Sequence, residues 1–359
     1  MKKVLIFAAA AALVLAGCAK NEVVSTVGAN EEIPIGFGSY AGRTLTKATT
    51  DSYVGPGTAT FTATNQHIGV YAYVGTATAS TFMNNVDVEL VGNGATASTS
   101  YTPIRYWPKE EVPANAIDFI AYYPYGGTGI TGAGIGNTTE NDHYGTLGFT
   151  VQDAIADQVD FMYADPVEDQ YYSTNGGVVP FVFHHALTRV LFQVKAADTY
   201  TGTTIKVKSL SIDNIKKTGT LTLGATATWG TTPTGAQTYS FPDISSHALT
   251  TTAYPEEDPS ASPAVYADAS YVFLLMPQSI ADAAMLRIQY EITDDGTGVV
   301  TTNNANVQLN TITDGSTPIA TWSINQNVVY TITIGLKPIQ FTGTVTNWAA
   351  TTSGNWILN

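Results

Sequence analysis

The sequence predicts an all-β protein made of two β-sandwich domains, and three observations carry that expectation. Thr is used heavily beside 20 Tyr and 32 Gly; Thr and Tyr favour pleated strands, and Gly favours turns. Short runs with alternating apolar residues follow one another, most of them separated by Gly, Pro, Asn or Asp clusters, and no long stretch has a helical period. A weak internal repeat relates the two halves at an offset of 277 − 108 = 169 residues: Tyr106-Trp107-Pro108-Lys109 precedes an apolar run at Ile117–Tyr123, and Leu275-Met276-Pro277-Gln278 precedes one at Leu286–Ile292. With 359 residues the chain is about twice a typical domain length.

The elements follow in order. Ile33, Ile35 and Phe37 alternate with Pro34 and Gly36, so they share one face of a half-buried strand, with Pro34 suited to an edge. Gly42 to Asp51 is polar and reads as a loop. Further strands are expected at Ile68–Val74, Val86–Val91, Ile117–Tyr123, Val159–Ala164, Val178–Phe183 and Arg189–Val194. In the second half they are expected at Ile205–Ile212, Tyr271–Met276, Leu286–Ile292, Val307–Ile312, Val328–Leu336 and Ile339–Val345. Ser279–Ala284 suits a single helical turn. Ser173-Thr174-Asn175-Gly176-Gly177 is a turn-rich break and the natural domain boundary.

The amino terminus has its own signature. Lys2 and Lys3 precede an apolar run from Val4 to Leu15, and Leu15-Ala16-Gly17-Cys18 follows. This is the pattern of a secretory signal with a small-residue cleavage site, too short to span a bilayer, which needs about 20 residues. Leu-Ala-Gly-Cys resembles the bacterial lipobox, which makes Cys18 the expected lipidation site. Several acyl chains at roughly 0.8 kcal/mol per buried CH₂ hold such a protein firmly on a membrane. Cys18 is the one cysteine, so no intrachain disulfide and no thiol nucleophile is expected.

Charge and composition exclude other classes. Fifteen basic residues against 29 acidic ones give a net charge of −14, a surface that repels nucleic-acid phosphates. Only 12% charged residues against 44% apolar ones excludes disorder. No metalloprotease, nucleophile-elbow or phosphate-loop motif is present. His184-His185 is the one histidine cluster, and neighbours in a strand point to opposite faces, so a shared metal is not expected. The change of parity between Phe181/Phe183 and Val190/Phe192 suggests a bend there. Asp294-Asp295-Gly296-Thr297-Gly298 is best read as a hairpin turn, and Glu256-Glu257-Asp258 and Glu168-Asp169 as solvated turns. Tyr122, Tyr123 and Tyr125 suit core packing, with sugar stacking as the alternative. No enzyme activity and no cofactor is expected.

The order of these motifs resembles a family. The lipobox is followed by Glu31-Glu32-Ile33-Pro34-Ile35-Gly36-Phe37 and by Arg43 in a Thr-rich loop. Tyr106-Trp107-Pro108, Ile117–Pro124, Asp160-Phe161-Met162-Tyr163-Ala164, Phe181–Val190, Leu275-Met276-Pro277-Gln278 and Tyr330–Leu336 come next, with Trp348 near the end. Together they look like the fimbrillin-type (type V pilin) lipoproteins of Bacteroidales. That resemblance implies two tandem transthyretin-like, Ig-like Greek-key sandwiches. It also implies a lipid-anchored precursor on the outer membrane and polymerisation head to tail with other fimbrial subunits, in support of adhesion. In this scheme an Arg-specific maturation protease cuts Arg43–Thr44, the first strand with Ile33, Ile35 and Phe37 is removed, and a neighbour's C-terminal strand fills the groove through Ile339, Phe341 and Val345. The implied division is 1–17 signal peptide, 18–43 tether and removable strand, 44–176 first sandwich and 177–359 second sandwich with the donor strand.

The residues are compatible with this scheme and leave alternatives. Arg43 is the only Arg before Arg105 and lies in a small-residue loop open to proteolysis. Ile339, Phe341, Gly343 and Val345 alternate with Gln340, Thr342, Thr344 and Thr346, a pattern equally suited to a donated strand or to an ordinary last strand of its own domain. The rival function is a monomeric surface lipoprotein that binds glycans or host ligands.

Overall fold

The computed structural model describes residues 32–39, 66–75, 80–91, 98–131, 145–224, 226–230, 233–255, 257–258, 265–266, 271–336 and 339–347. From Ile33 onward the described residues belong to one compact unit, and their regular elements are almost all strands. The strands used below are, in chain order, β1 (Gly36–Ser39), β2 (Gln66–Val74), β3 (Ser80–Val91), β4 (Ser98–Tyr101), β5 (Ile117–Tyr123), β6 (Thr146–Thr150), β7 (Met162–Ala164), β8 (Val167–Gln170), β9 (Val178–Phe181) and β10 (Phe183–His185). They continue with β11 (Thr188–Ala196), β12 (Thr203–Thr222), β13 (Thr234–Ser240), β14 (Val272–Leu275), β15 (Met285–Asp294), β16 (Val300–Gln308), β17 (Gln326–Ile334) and β18 (Gln340–Asn347).

Two hydrophobic cores organise these strands. The first lies between a small parallel pair, β1 with β9, and one face of a large sheet ordered β10-β7-β5-β2-β3-β4, with β8 also on β5. Ile68, Val70, Ala72, Ile117, Phe119 and Ala121 face this core, while Tyr71, Tyr73, Ile120 and Tyr122 on the opposite face enter the second core. Burial on both faces explains why β2 and β5 carry near-continuous apolar runs instead of a polar alternation. The second core is a sandwich of the sheet β14-β11-β17-β18 and the sheet β16-β15-β12-β6, with β13 also on β12. Phe192, Phe273, Tyr330 and Trp322 fill it, the last two joined by Trp322 Nε1 donating to Tyr330 Oη at 2.9 Å.

Strands from either side of residue 176 share sheets. β9 pairs with β1 in parallel, and β6 pairs antiparallel with the far half of the 20-residue β12. The chain changes sheets at Val182, which separates β9 from β10 and accepts the backbone N–H of Asp165 at 3.0 Å. The bend expected near the two histidines falls there, and it divides the single strand expected over 178–183.

Other elements differ from expectation for identifiable reasons. The run expected as a strand at Val307–Ile312 is the end of β16 followed by a 3₁₀ turn at Leu309–Thr311, because Leu309 and Ile312 both turn inward to the second core. Ser279–Ala284 forms no helical turn; Ser279 pairs with Thr321, and Ala281 to Ala284 is a tight turn. Pro34 precedes β1 in a bridge to Tyr106, where its missing N–H costs nothing. The turn after β15 is as expected: Asp294 Oδ1 accepts the backbone N–H groups of Gly296 and Thr297 at 3.0 and 2.9 Å and closes the β15–β16 hairpin.

Candidate functional site

The first strand is seated in an apolar trough. Ile35 and Phe37 are 1% and 5% exposed, and Ile33 is half-buried against the same cluster. Phe37 stacks on Phe181 at 5.8 Å between centroids and meets Tyr101 and Phe119 edge-on at 5.5 and 5.8 Å. On one side β1 pairs with β9; on the other, Ile35 N donates to Arg105 O and Trp107 N donates to Ile33 O, each at 2.9 Å. The Tyr101 hydroxyl donates to Ile35 O at 2.8 Å, and burial pushes the Tyr101 phenol above its ordinary pKa. Trp107 Nε1 donates to Gly177 O at 3.1 Å, and Gly177 takes φ +89° against the rings of Tyr172 and Trp107.

Removing this strand would therefore open a groove with matched chemistry. Its floor would be Phe119, Val179, Phe181 and Trp107, and its walls would expose Arg105 O, Gly177 O and Trp107 N, ready to pair with another extended chain. The two buried side chains alone are worth roughly 3–6 kcal/mol of gross transfer energy. Sequence reading did not foresee Thr99 and Tyr101 as parts of this site. They stand in β4, four residues long and too polar to show a period, although Thr99 Oγ1 accepts the Phe37 N–H at 3.3 Å.

The C-terminal strand lies elsewhere. β18 is the edge strand of the second sandwich and pairs antiparallel with β17, setting Phe341 opposite Ile332, Gly343 opposite Tyr330 and Val345 opposite Val328. Ile339, Phe341 and Val345 pack against the second core and remain half-buried. Gly343 is buried because Ile319 occupies the space a Cβ would need. The tail thus completes its own domain, while its apolar side chains are covered less fully than those of β1.

The remaining expected residues sort as follows. Cys18, Arg43 and Thr44 lie outside the described residues. His184 pairs with Asp165 and His185 with Asp160, both at 2.9 Å, on different neighbours, and the second pair is buried. Among the described residues no three His, Cys, Asp or Glu converge as a metal site. Tyr122 is buried, its hydroxyl donating to Asn85 Oδ1 at 2.8 Å, while Tyr123 and Tyr125 are half-buried against the two cores. Core packing encloses the Tyr122 ring, while Tyr123 and Tyr125 pack against the cores with part of each ring exposed. Among the described residues no helix is long and apolar enough to cross a membrane.

Comparison with known proteins agrees with this architecture. Residues 46–348 match a family model described as fimbrillin-like. A fimbrial protein from Bacteroides vulgatus has a similar solved structure, with a TM-score of 0.56 and 21% identity over 79% of this chain and 93% of that one. A proposed cell adhesion protein from Bacteroides uniformis is also similar, with a TM-score of 0.50 and 19% identity over 89% of this chain and 98% of that one. No curated protein matches the sequence.

Proposed function

The chain belongs to the fimbrillin-like family, a family of structural proteins without enzymatic activity, and from that premise we propose that it is a fimbrial subunit matured by proteolysis and polymerised by strand exchange. In this reading the precursor is exported as a lipoprotein anchored through Cys18 at the outer membrane. An Arg-specific protease cuts Arg43–Thr44, which frees the segment that carries Ile33, Ile35 and Phe37. A neighbouring subunit then supplies Ile339, Phe341 and Val345 to the vacated groove, and the subunits join head to tail. The chain is divided into a first sandwich over 44–176 and a second over 177–359, with β6, β9 and β10 crossing that division.

The observation that carries the reading is the seating of β1. The segment Ile33–Ser39, which ends in the four-residue β1 and lies just ahead of the only Arg before Arg105, packs into the first core and is bonded on both sides. Its loss would leave a strand-shaped apolar vacancy, which is the receptor that β-strand addition requires. The tail's half-buried side chains gain cover by moving into such a groove, so burial favours exchange. The joint is heterologous and leaves a free groove and a free tail after every addition, so it propagates as a filament. Mass spectrometry of assembled fimbriae tests the maturation step: subunits should begin at Thr44, and subunits that retain Ile33–Phe37 in the polymer would refute it.

A further inference from the structure

The chain holds four arginines, Arg43, Arg105, Arg189 and Arg287. An Arg-specific protease that matures the precursor meets all of them. Arg189 is 7% exposed inside β11, which is laddered to β14 on one side and β17 on the other. Arg287 lies inside β15, laddered to β12 and β16. Neither chain segment can enter a protease without loss of a sheet. Arg105 is different. Thr102 to Tyr106 are all exposed and form no strand, and the Arg105 guanidinium rests on the Phe82 ring, 5.4 Å from its centroid. Among the described residues, the main chain from Thr102 to Trp107 bonds to the main chain of Ile33 and Ile35 alone. Arg105 O accepts the Ile35 N–H and Trp107 N donates to Ile33 O, on either side of the bridge between Pro34 and Tyr106. The Tyr101 hydroxyl joins the same parts, accepting the Arg105 N–H at 3.3 Å and donating to Ile35 O at 2.8 Å. The Arg105–Tyr106 bond is thus clasped by the segment that maturation removes.

We infer that Arg105–Tyr106 is a second cleavage site for an Arg-specific endoprotease, masked while the groove is filled and open to hydrolysis when the groove is empty. The inference rests on the maturation reading and goes beyond it by giving the protease a second, conditional bond. Cleavage requires the Arg105 carbonyl oxygen to turn into the protease's oxyanion site, and Ile35 N–H holds that atom. A protease also pairs with the main chain of an extended substrate, and Trp107 N is committed to Ile33 O. Loss of the first segment frees both groups in a loop that is already exposed, where nicking concentrates. One water then adds across the C–N bond, leaving a carboxylate on Arg105 and an amine on Tyr106. The cut parts Thr99 and Tyr101 from Trp107 and Phe119, all of which line the groove, so it destroys the receptor. A donated tail that pairs with Arg105 O and Trp107 N masks the bond again. Subunits that receive no tail are thereby removed, and assembled ones are spared.

Digestion of the full chain carrying Arg43→Lys tests the masking, because the first segment then stays attached. An Arg-specific cysteine protease should leave this chain intact. With Phe37→Ala added, it should cut once, after Arg105, at least about tenfold faster, because cleavage tracks the population of the opened form. Mass spectrometry reads the new ends at Arg105 and Tyr106. Equal cutting after Arg189 and Arg287 would report general unfolding. Tyr101→Phe, which removes only the hydroxyl shared by Ile35 and Arg105, then decides: faster cutting after Arg105 alone supports the inference. No acceleration in either variant, or equally fast cutting of the Arg43→Lys chain itself, overturns it. Matured wild-type chains are digested in parallel, and polymers cut after Arg105 as fast as the Phe37→Ala chain overturn it too. Polymers from a chain whose Arg105 bond resists in both variants leave strand exchange standing and remove the second site; the single cut after Arg105 without any polymer does the reverse.

Discussion

Phe37 is the side chain on which the first core closes, because it touches three other rings and stands six residues before Arg43. Phe37→Ala should cost about 3–5 kcal/mol by loss of burial and creation of a cavity, read from denaturant unfolding of the uncleaved chain. After maturation the same substitution should have no effect on assembled subunits, because the residue is then gone. Two buried tyrosines of the second core make a sharper comparison. The Tyr330 hydroxyl accepts the Trp322 N–H, so Tyr330→Phe leaves a buried donor without its acceptor and should cost about 1–3 kcal/mol. The Tyr239 hydroxyl is buried with no hydrogen-bond partner among the described residues, so Tyr239→Phe should be neutral or slightly stabilising. Equal losses from the two substitutions in thermal unfolding would contradict that bonding pattern.

At the scale of the element, the two strands of interest are held differently, and one residue tests the difference. A Cβ at position 343 runs into Ile319, so Gly343→Ala should loosen β18 from β17 by about 1–3 kcal/mol. Faster amide exchange at residues 328–333 would report this, and release of the tail should make matured subunits polymerise faster; unchanged exchange would show that Ile319 moves aside. The same scale explains what was legible in the sequence. Strands with many large apolar residues were visible, whether in a near-continuous run or on a period of two: Ile117–Tyr123 has the bounds expected of it, and Ile68–Val74 and Val328–Leu336 are close. Strands with polar exposed faces were not. β16 reads Val-Thr-Thr-Asn-Asn-Ala-Asn-Val-Gln and is held by its ladder to β15, with little apolar burial of its own, so no period marks it. β13 and β6 escaped notice for a similar reason, being rich in Thr and Gly. Of the candidate site, the alternation of Ile33, Ile35 and Phe37 showed a buried face, but the partners on β4 and β9 come from residues 62 to 142 positions away, which local pattern cannot reach.

For the whole molecule, charge and burial set the conditions under which it folds and assembles. The net charge is −14, and removal of residues 1–43 takes four bases and three acids, leaving 11 − 26 = −15. Like-charged subunits repel, so polymerisation should accelerate as salt shortens the screening length from about 30 Å at 0.01 M to about 8 Å at 0.15 M; light scattering should show this, and slower assembly at 0.15 M would mean that attraction between charges dominates. Alkaline stability follows from the tyrosines. Burial pushes Tyr123 and Tyr163 from 10.0 up to about 12, and drives Tyr71, Tyr239 and Tyr330 higher still. The unfolded chain therefore loses these protons first, and stability, fully present below pH 10, should fall as the pH rises towards 12. Tyrosinate absorbance should appear together with unfolding; its full appearance while the fold persists would contradict the burial. The central claim is that the groove vacated by β1 receives the tail of another copy. Its most direct measurement is gel analysis of the chain after limited digestion with an Arg-specific protease, beside a form that lacks residues 339–359. The account predicts ladders of stable oligomers from the cleaved full-length chain and only monomers from the truncated one. Cleaved full-length chains that stay monomeric, or ladders that persist without the tail, would contradict it.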